Sequence, residues 1–249
     1  MVNYYKRIGR ARRRNFLDRL GGFSAVTWLI IITVLISVLV FILTGIYCVP
    51  VEGGVLETCK VFDLFALKPG NILQGQYLWT LLTHMFVHGG IGHLLINMFV
   101  LFSLGGLCER IIGKKRFVWF YLISGVFAGL LSVVLSGAFG LSDLGARIFG
   151  SPEIFMVGAS GAIFAIAGLY VVLLPRLKFM IIFLPFFGFP GYILIPAVLF
   201  GVWLLSVIFN WPVGNVAHFG GFLVGIVYGV YLRRKYKRKV KMLQRMFRA

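Results

Sequence analysis

The chain has 249 residues, 60% of them hydrophobic and only 13% charged, with 25 Lys and Arg against 7 Asp and Glu for a net charge of +18. Soluble domains carry about 45–50% apolar and about 25% charged residues, so an ordinary water-soluble globule and a disordered tail are both excluded. A nucleic-acid partner would need a basic face on a soluble fold, so none is expected, and the charge is read first as a membrane-topology signal.

No Lys, Arg, Asp or Glu interrupts residues 20–51, 69–108, 117–142, 154–175 or 179–232, and a helical crossing needs about 20 apolar residues. The first run predicts one span over about 25–46. The second is too long for one span. Its first half carries Asn71, Gln74, Gln76, His84 and His88, which predicts an outer loop packed near the membrane, followed by a helix over about 92–108. The third and fourth runs hold one span each. The fifth is broken by the turn-forming stretch Asn210-Trp211-Pro212-Val213-Gly214-Asn215. Pro185, Gly188, Pro190 and Gly191 predict a connecting segment before a helix over 193–209, and the last helix covers 216–232. The expected fold is an all-α integral membrane protein with six spans.

Charge placement tests that count. A basic N-terminal segment (1–20) and a basic tail (233–249) flank the membrane domain (21–232), and basic residues mark the cytoplasmic side. Both termini are then cytoplasmic, which requires an even number of spans. With six, Arg110, Lys114, Lys115, Arg116, Arg176 and Lys178 also fall inside, so that 22 of the 25 basic residues lie there and five of the seven acids lie outside. The first span is too long for the apolar core of a removed leader. Cys48 and Cys59 both fall outside and could pair, whereas Cys108 ends its helix on the inside. The tail reads as an orientation signal near anionic lipid.

Polar residues inside spans are costly, so each raises a functional question. The even-numbered helices enter from outside, which puts His93, Asn97, Ser160 and His218 within about 5–12 Å of the outer ends of three helices. His93 and Asn97 are four residues apart and share a helix face. Ser160 lies in Gly158-Ala159-Ser160-Gly161, near a helix start rich in unsatisfied N–H donors. His218 precedes Gly221, Gly225 and Gly229, a small-residue stripe that lets another helix pack closely. If that neighbour is the Ser160 helix, a serine nucleophile and a histidine base result, with His93, Asn97 and the Ser160 N–H available to an oxyanion. Taken singly, a serine between glycines is packing and a histidine at a span entrance is interfacial. Only the convergence argues otherwise. His84 is assigned a structural or unknown role and His88 a hydrogen-bonding role that shapes the outer loop. Glu109 and Arg110 are expected to form a local cap or ion pair at the inner edge. No carboxylate or cysteine stands at metal-ligand spacing from the histidines, so neither metal nor cofactor is expected.

These motifs resemble those of rhomboid intramembrane serine proteases. His93-Leu94-Leu95-Ile96-Asn97 is similar to that family's His-x-x-x-Asn, Gly158-Ala159-Ser160-Gly161 to its Gly-x-Ser-Gly, and Ala217-His218 with Gly221 and Gly225 to its last-helix motif. His88, Glu109 and Gly113 also match, and the similarity extends over about 79–232. It implies a six-helix rhomboid-like bundle, a catalytic dyad of Ser160 and His218, no metal, and cleavage of other membrane proteins at or near their transmembrane segments. Two positions depart from it. Thr80 follows Trp79 where many members have Arg, and Phe164 stands where many have Tyr. The expected localisation is the cell membrane, as a multi-pass protein. The alternatives are a catalytically inactive rhomboid-like protein that binds membrane clients, and a small transporter. The transporter is disfavoured because no polar path continues toward the inner side.

Overall fold

The computed structural model describes residues 22–48, 60–181 and 184–247. The N-terminal basic segment, Glu52, Glu57 and Cys59 therefore lie outside the described residues, and so does the Cys48–Cys59 pairing.

Helix α1 spans Ala25–Tyr47 and starts at Ser24, whose hydroxyl accepts the Thr27 N–H at 3.0 Å. A second cap comes from far along the chain: the Glu109 carboxylate accepts the Ala25 and Val26 N–H groups at 3.0 and 3.1 Å. The local cap or ion pair expected of Glu109 and Arg110 is not formed among the described residues. Glu109 caps the first helix across the bundle rather than its own helix, and an anion at a helix N-terminus is stabilising there.

The predicted outer loop is structured. It holds α2 (Lys60–Phe65), α3 (Pro69–Leu73), α4 (Thr80–Thr83) and a 3₁₀ turn at His84–Phe86. Two long helices come next, α5 (Ile91–Ile112) and α6 (Lys114–Phe139), joined by Gly113 at φ +87°. Beyond them lie α7 (Asp143–Phe149), α8 (Ser160–Leu173), α9 (Gly191–Phe209), α10 (Asn215–Lys235) and α11 (Lys237–Met246). The segment between α8 and α9, expected only as a connection, forms an antiparallel hairpin of β1 (Lys178–Ile181) and β2 (Leu184–Pro190). It is the one sheet among the described residues of an otherwise helical chain.

Among the described residues six apolar helices stand where six spans were predicted, but only α1, α5, α6, α9 and α10 are long and apolar enough to cross a bilayer. Helix α8 has 14 residues, about 21 Å of rise against a hydrocarbon core of about 30 Å. The charge-free run that holds it opens at residue 154, but the helix begins at Ser160 because Met156 is tied down in an extended pairing. Leu67 and Met156 exchange both backbone hydrogen bonds, at 3.0 and 2.7 Å. Elsewhere helices run past the apolar stretches. Helix α5 continues through Arg110 to Ile112, and α10 through Arg233 and Arg234 to Lys235. Cations in a last turn complement the helix dipole, so loss of apolarity does not end the helix.

Helix α8 is the centre of the bundle, with ten of its fourteen residues buried. It is crossed by α10, and the contact is made by backbone. A Cβ on Gly221 would run into the Gly161 carbonyl oxygen, one on Gly225 into that of Ala165, and one on Gly168 into that of Phe222. Lipid tails are as apolar as leucine, so helices associate in a membrane through such close van der Waals contact.

Candidate active site

Ser160 is the first residue of α8 and His218 the fourth of α10. The close glycine contacts between α8 and α10 draw these two helix starts together, and the His218 Nε2 stands 2.8 Å from the Ser160 Oγ. A donor–acceptor pair at this separation is a hydrogen bond of ordinary length. The Phe164 ring, one turn along α8, lies 4.7 Å from the imidazole of His218 at a tilt of 37°. It walls the histidine on one side without offering it a polar group. The chain enters α8 through Gly158 at φ +120°, a backbone state that side-chain-bearing residues seldom adopt.

His93 is the third residue of α5 and Asn97 the seventh. The point where a Cβ on Gly158 would stand is 2.9 Å from His93 Cε1 and 3.8 Å from Ser160 Oγ, so glycine is the residue that lets the His93 ring approach the serine. Asn97 is buried and donates one amide N–H to the His93 carbonyl at 2.9 Å, which leaves its other N–H uncommitted by that bond. As the first residue of its helix, Ser160 has a backbone N–H with no intrahelical acceptor. All four residues singled out in the sequence therefore lie near the starts of three helices that meet.

His88 joins them from the loop. Its ring packs edge-on against His93 with centroids 5.0 Å apart. The Ser37 hydroxyl donates to the Phe86 carbonyl at 2.9 Å and has its oxygen left to accept from His88 Nδ1 at 3.0 Å. That assigns the His88 proton to Nδ1 and leaves Nε2 as the acceptor for the Ala159 N–H at 3.5 Å. One histidine thus links α1 to the residue before Ser160, and only the neutral ring can make both bonds. Burial, and then the neighbouring His93, push its pKa down to about 3. His84, also buried, uses Nδ1 to donate to the Thr80 carbonyl at 2.8 Å, and burial lowers its pKa to about 4. Its own carbonyl accepts the Gly158 N–H at 2.9 Å. Both loop histidines act by holding residues 158–159 in place.

The Rhomboid domain family model matches residues 75–235, about two-thirds of the chain. The chain belongs to the rhomboid family. Among similar proteins, the rhomboid protease GlpG of Haemophilus influenzae is 27% identical over 156 residues, covering 63% of this chain and 70% of that protein. The rhomboid protease GluP of Bacillus subtilis is 34% identical over 136 residues, covering 54% of this chain and 24% of the relative. The mitochondrial presenilin-associated rhomboid-like protein of Mus musculus is 32% identical over 155 residues, covering 61% and 37% respectively. This rhomboid thus spans about a quarter of the Bacillus protein and little more than a third of the mouse one. Family membership, together with five helices among the described residues able to span a bilayer, makes it a multi-pass membrane protein.

The two departures from the family pattern have local accounts in this rhomboid. Thr80 is buried and its hydroxyl donates to the Tyr77 carbonyl at 2.8 Å, while the Trp79 indole N–H donates to the Leu64 carbonyl at 2.8 Å. The loop is also tied to the approach to α8 by the Lys68–Glu153 ion pair at 2.8 Å. Phe164 keeps the ring beside His218. Sequence reasoning missed Ser37, whose partner is 51 residues away. A serine in the middle of an apolar span was the available signal, but nothing local says which loop it faces.

Proposed function

We propose that this rhomboid is an intramembrane serine endopeptidase that hydrolyses peptide bonds in or beside the transmembrane segments of other membrane proteins. The observation that carries the reading is the 2.8 Å contact between His218 Nε2 and Ser160 Oγ. Unpaired serines in spans have no need of an imidazole at that distance, and a protein that only held client helices would have no use for the pair.

In this reading His218 takes the proton from Ser160 Oγ as the oxygen attacks the scissile carbonyl. The tetrahedral oxyanion faces the Ser160 N–H, Asn97 and His93, and a single lost donor of this kind costs about 10²-fold or more in rate. His218 returns the proton to the leaving amine. Water then attacks the acyl-serine with His218 again as base, releasing the acid and restoring the hydroxyl. No residue is assigned to orient the imidazole, so the reaction runs on a dyad. Helix ends open toward the outer mouth, where water can reach the ester, and substrates whose helices unwind easily near small residues are favoured.

The reading includes a topology: six crossings with the shortened α8 as the fourth, and both the 1–20 and 233–249 segments in the cytoplasm, with 21–232 as the membrane domain. Charge asymmetry supports it. The test is to offer the purified protein a fluorophosphonate probe and a generic transmembrane substrate, beside Ser160→Ala and His218→Ala. Wild type should label and cleave, and each variant should lose about 10⁴-fold or more. A folded wild type that does neither overturns the proposal and leaves client binding as the function. Access of an external reagent to a tag on either terminus in intact cells would overturn the topology.

A further inference from the structure

At the end of the bundle away from Ser160, a cavity of about 410 Å³ lies between the last turns of α5 and α10, the first turn of α6 and the amphipathic helix α11. Its walls include Leu107, Ile111, Leu243 and Phe247, and its rim carries Arg110, Arg116 and Lys239. Helix α11 is fastened over it: Val240 is buried, and Gln244 donates to the Leu173 carbonyl at 3.1 Å. Two of these rim cations, and Lys235 just outside the lining, share one ring. Arg116, Lys239 and Lys235 stand 6.0, 5.9 and 5.8 Å from the centre of Tyr236. The ring attracts each cation through its face but carries no charge to neutralise them, which an anion would.

No carboxylate of the described residues supplies that anion. The one ion pair among them, Lys68–Glu153, lies at the other end of the molecule. Glu109, adjacent in sequence to Arg110, has both carboxylate oxygens taken by the first N–H groups of α1. The position is also specific. Arg110 and Arg116 stand where the apolar runs of α5 and α6 end, which is headgroup depth in a bilayer. Cations above apolar walls at that depth match a molecule with a phosphate diester on top and hydrocarbon below.

We propose that this cavity binds one anionic phospholipid, its phosphodiester held among Arg110, Arg116 and Lys239 and its acyl chains lying along Leu107, Ile111 and Phe247. The bound lipid ties α11 to the bundle and, with the proposed orientation, belongs to the inner leaflet. The site is separate from the dyad and does not depend on proteolysis.

Native mass spectrometry of the purified full chain tests this with dioctanoyl phosphatidylglycerol, dioctanoyl phosphatidylcholine and glycerol phosphate as probes. One phosphatidylglycerol per chain should be retained at least ten times better than phosphatidylcholine. Arg116→Gln with Lys239→Gln should lower that retention about tenfold, and Leu243→Trp, which fills the cavity, should do the same with the charges intact. A control carrying Lys237→Gln, Arg238→Gln and Lys241→Gln, residues of α11 outside the lining, should keep it. Equal retention of the two lipids would overturn the proposal. So would equal loss in the control, which would mean diffuse attraction to the basic tail, or equal affinity for glycerol phosphate, which would mean an anion site with no role for the chains. Thermal melts establish that each variant is folded, and both rim residues are exposed, so the double variant retains the fold.

Discussion

Helices α9 and α10 are neighbours in the chain and have similar lengths, 19 and 21 residues, yet the bundle treats them in opposite ways. The central window of α9 is the more apolar of the two and only 11% buried, whereas that of α10 is less apolar and 39% buried. In water the order would be reversed, because apolar area drives burial there. In hydrocarbon an apolar surface gains nothing by leaving the lipid, so the helix with small residues on one face goes inside. Gly221, Gly225 and Gly229 put α10 against α8, while α9 shows Tyr192, Phe200, Leu204 and Leu205 outward. Where two backbones touch, the side chains at their starts acquire fixed positions, and Ser160 and His218 sit at that place.

The comparison can be broken most directly at Gly221. A Gly221→Leu side chain would meet the Gly161 carbonyl, so α8 and α10 must separate. The expected result is loss of cleavage by about 10²-fold or more, since small misplacements of reacting groups cost that much, together with about 1–3 kcal/mol of stability. Retention of full activity would show that the glycine stripe does not set the dyad. The matching substitution on α9, Phe200→Ala, should change stability by less than about 0.5 kcal/mol, because the ring faces outward.

Between these extremes, Phe164→Ala removes the ring beside His218 while leaving the glycine contacts. Cleavage should fall about 2- to 10-fold, the scale of one aromatic contact, and Phe164→Tyr should keep wild-type activity. A second intermediate effect separates the helix contact from the loop that supports it. His84 and His88 are neutral in the fold, with pKa values lowered to about 4 and about 3, and near 6.5 in the unfolded chain. Their contribution is complete above pH 6.5 and is lost as pH falls from there toward those values, because the unfolded chain takes up protons that the fold refuses. Thermal unfolding in detergent should therefore occur at lower temperature at pH 5 than at pH 7.5, by up to about 1.4 kcal/mol per pH unit for each ring. His88→Gln should flatten this dependence, and a dependence left unchanged would remove His88 from the account.

Much of this was legible in the chain. Apolar runs gave the positions of all six apolar helices, because a helix in hydrocarbon satisfies its own backbone within a few residues. Polarity within the spans, a shared depth and spacing together singled out His93, Asn97, Ser160 and His218. The length of α8 was not legible: residues 154–159 are as compatible with a span as residues 160–173, and it is the pairing of Met156 with Leu67 that takes this stretch out of the helix. The hairpin at 178–190 escaped for a related reason, since two short strands need each other rather than a local pattern.

The sequence by itself determined that the chain belongs in a membrane, roughly where its long apolar helices lie, and which polar residues occur within them. Those properties rest on composition and on hydrogen bonds that close within one turn. Tertiary structure alone decided that Ser160 meets His218, that His88 joins Ser37 to Ala159, that Glu109 caps a helix 83 residues away, and that three cations surround one cavity. Each of these depends on which helix faces touch. That choice is made by close backbone approach at a few glycines, and no local pattern in one segment specifies the partner it will find.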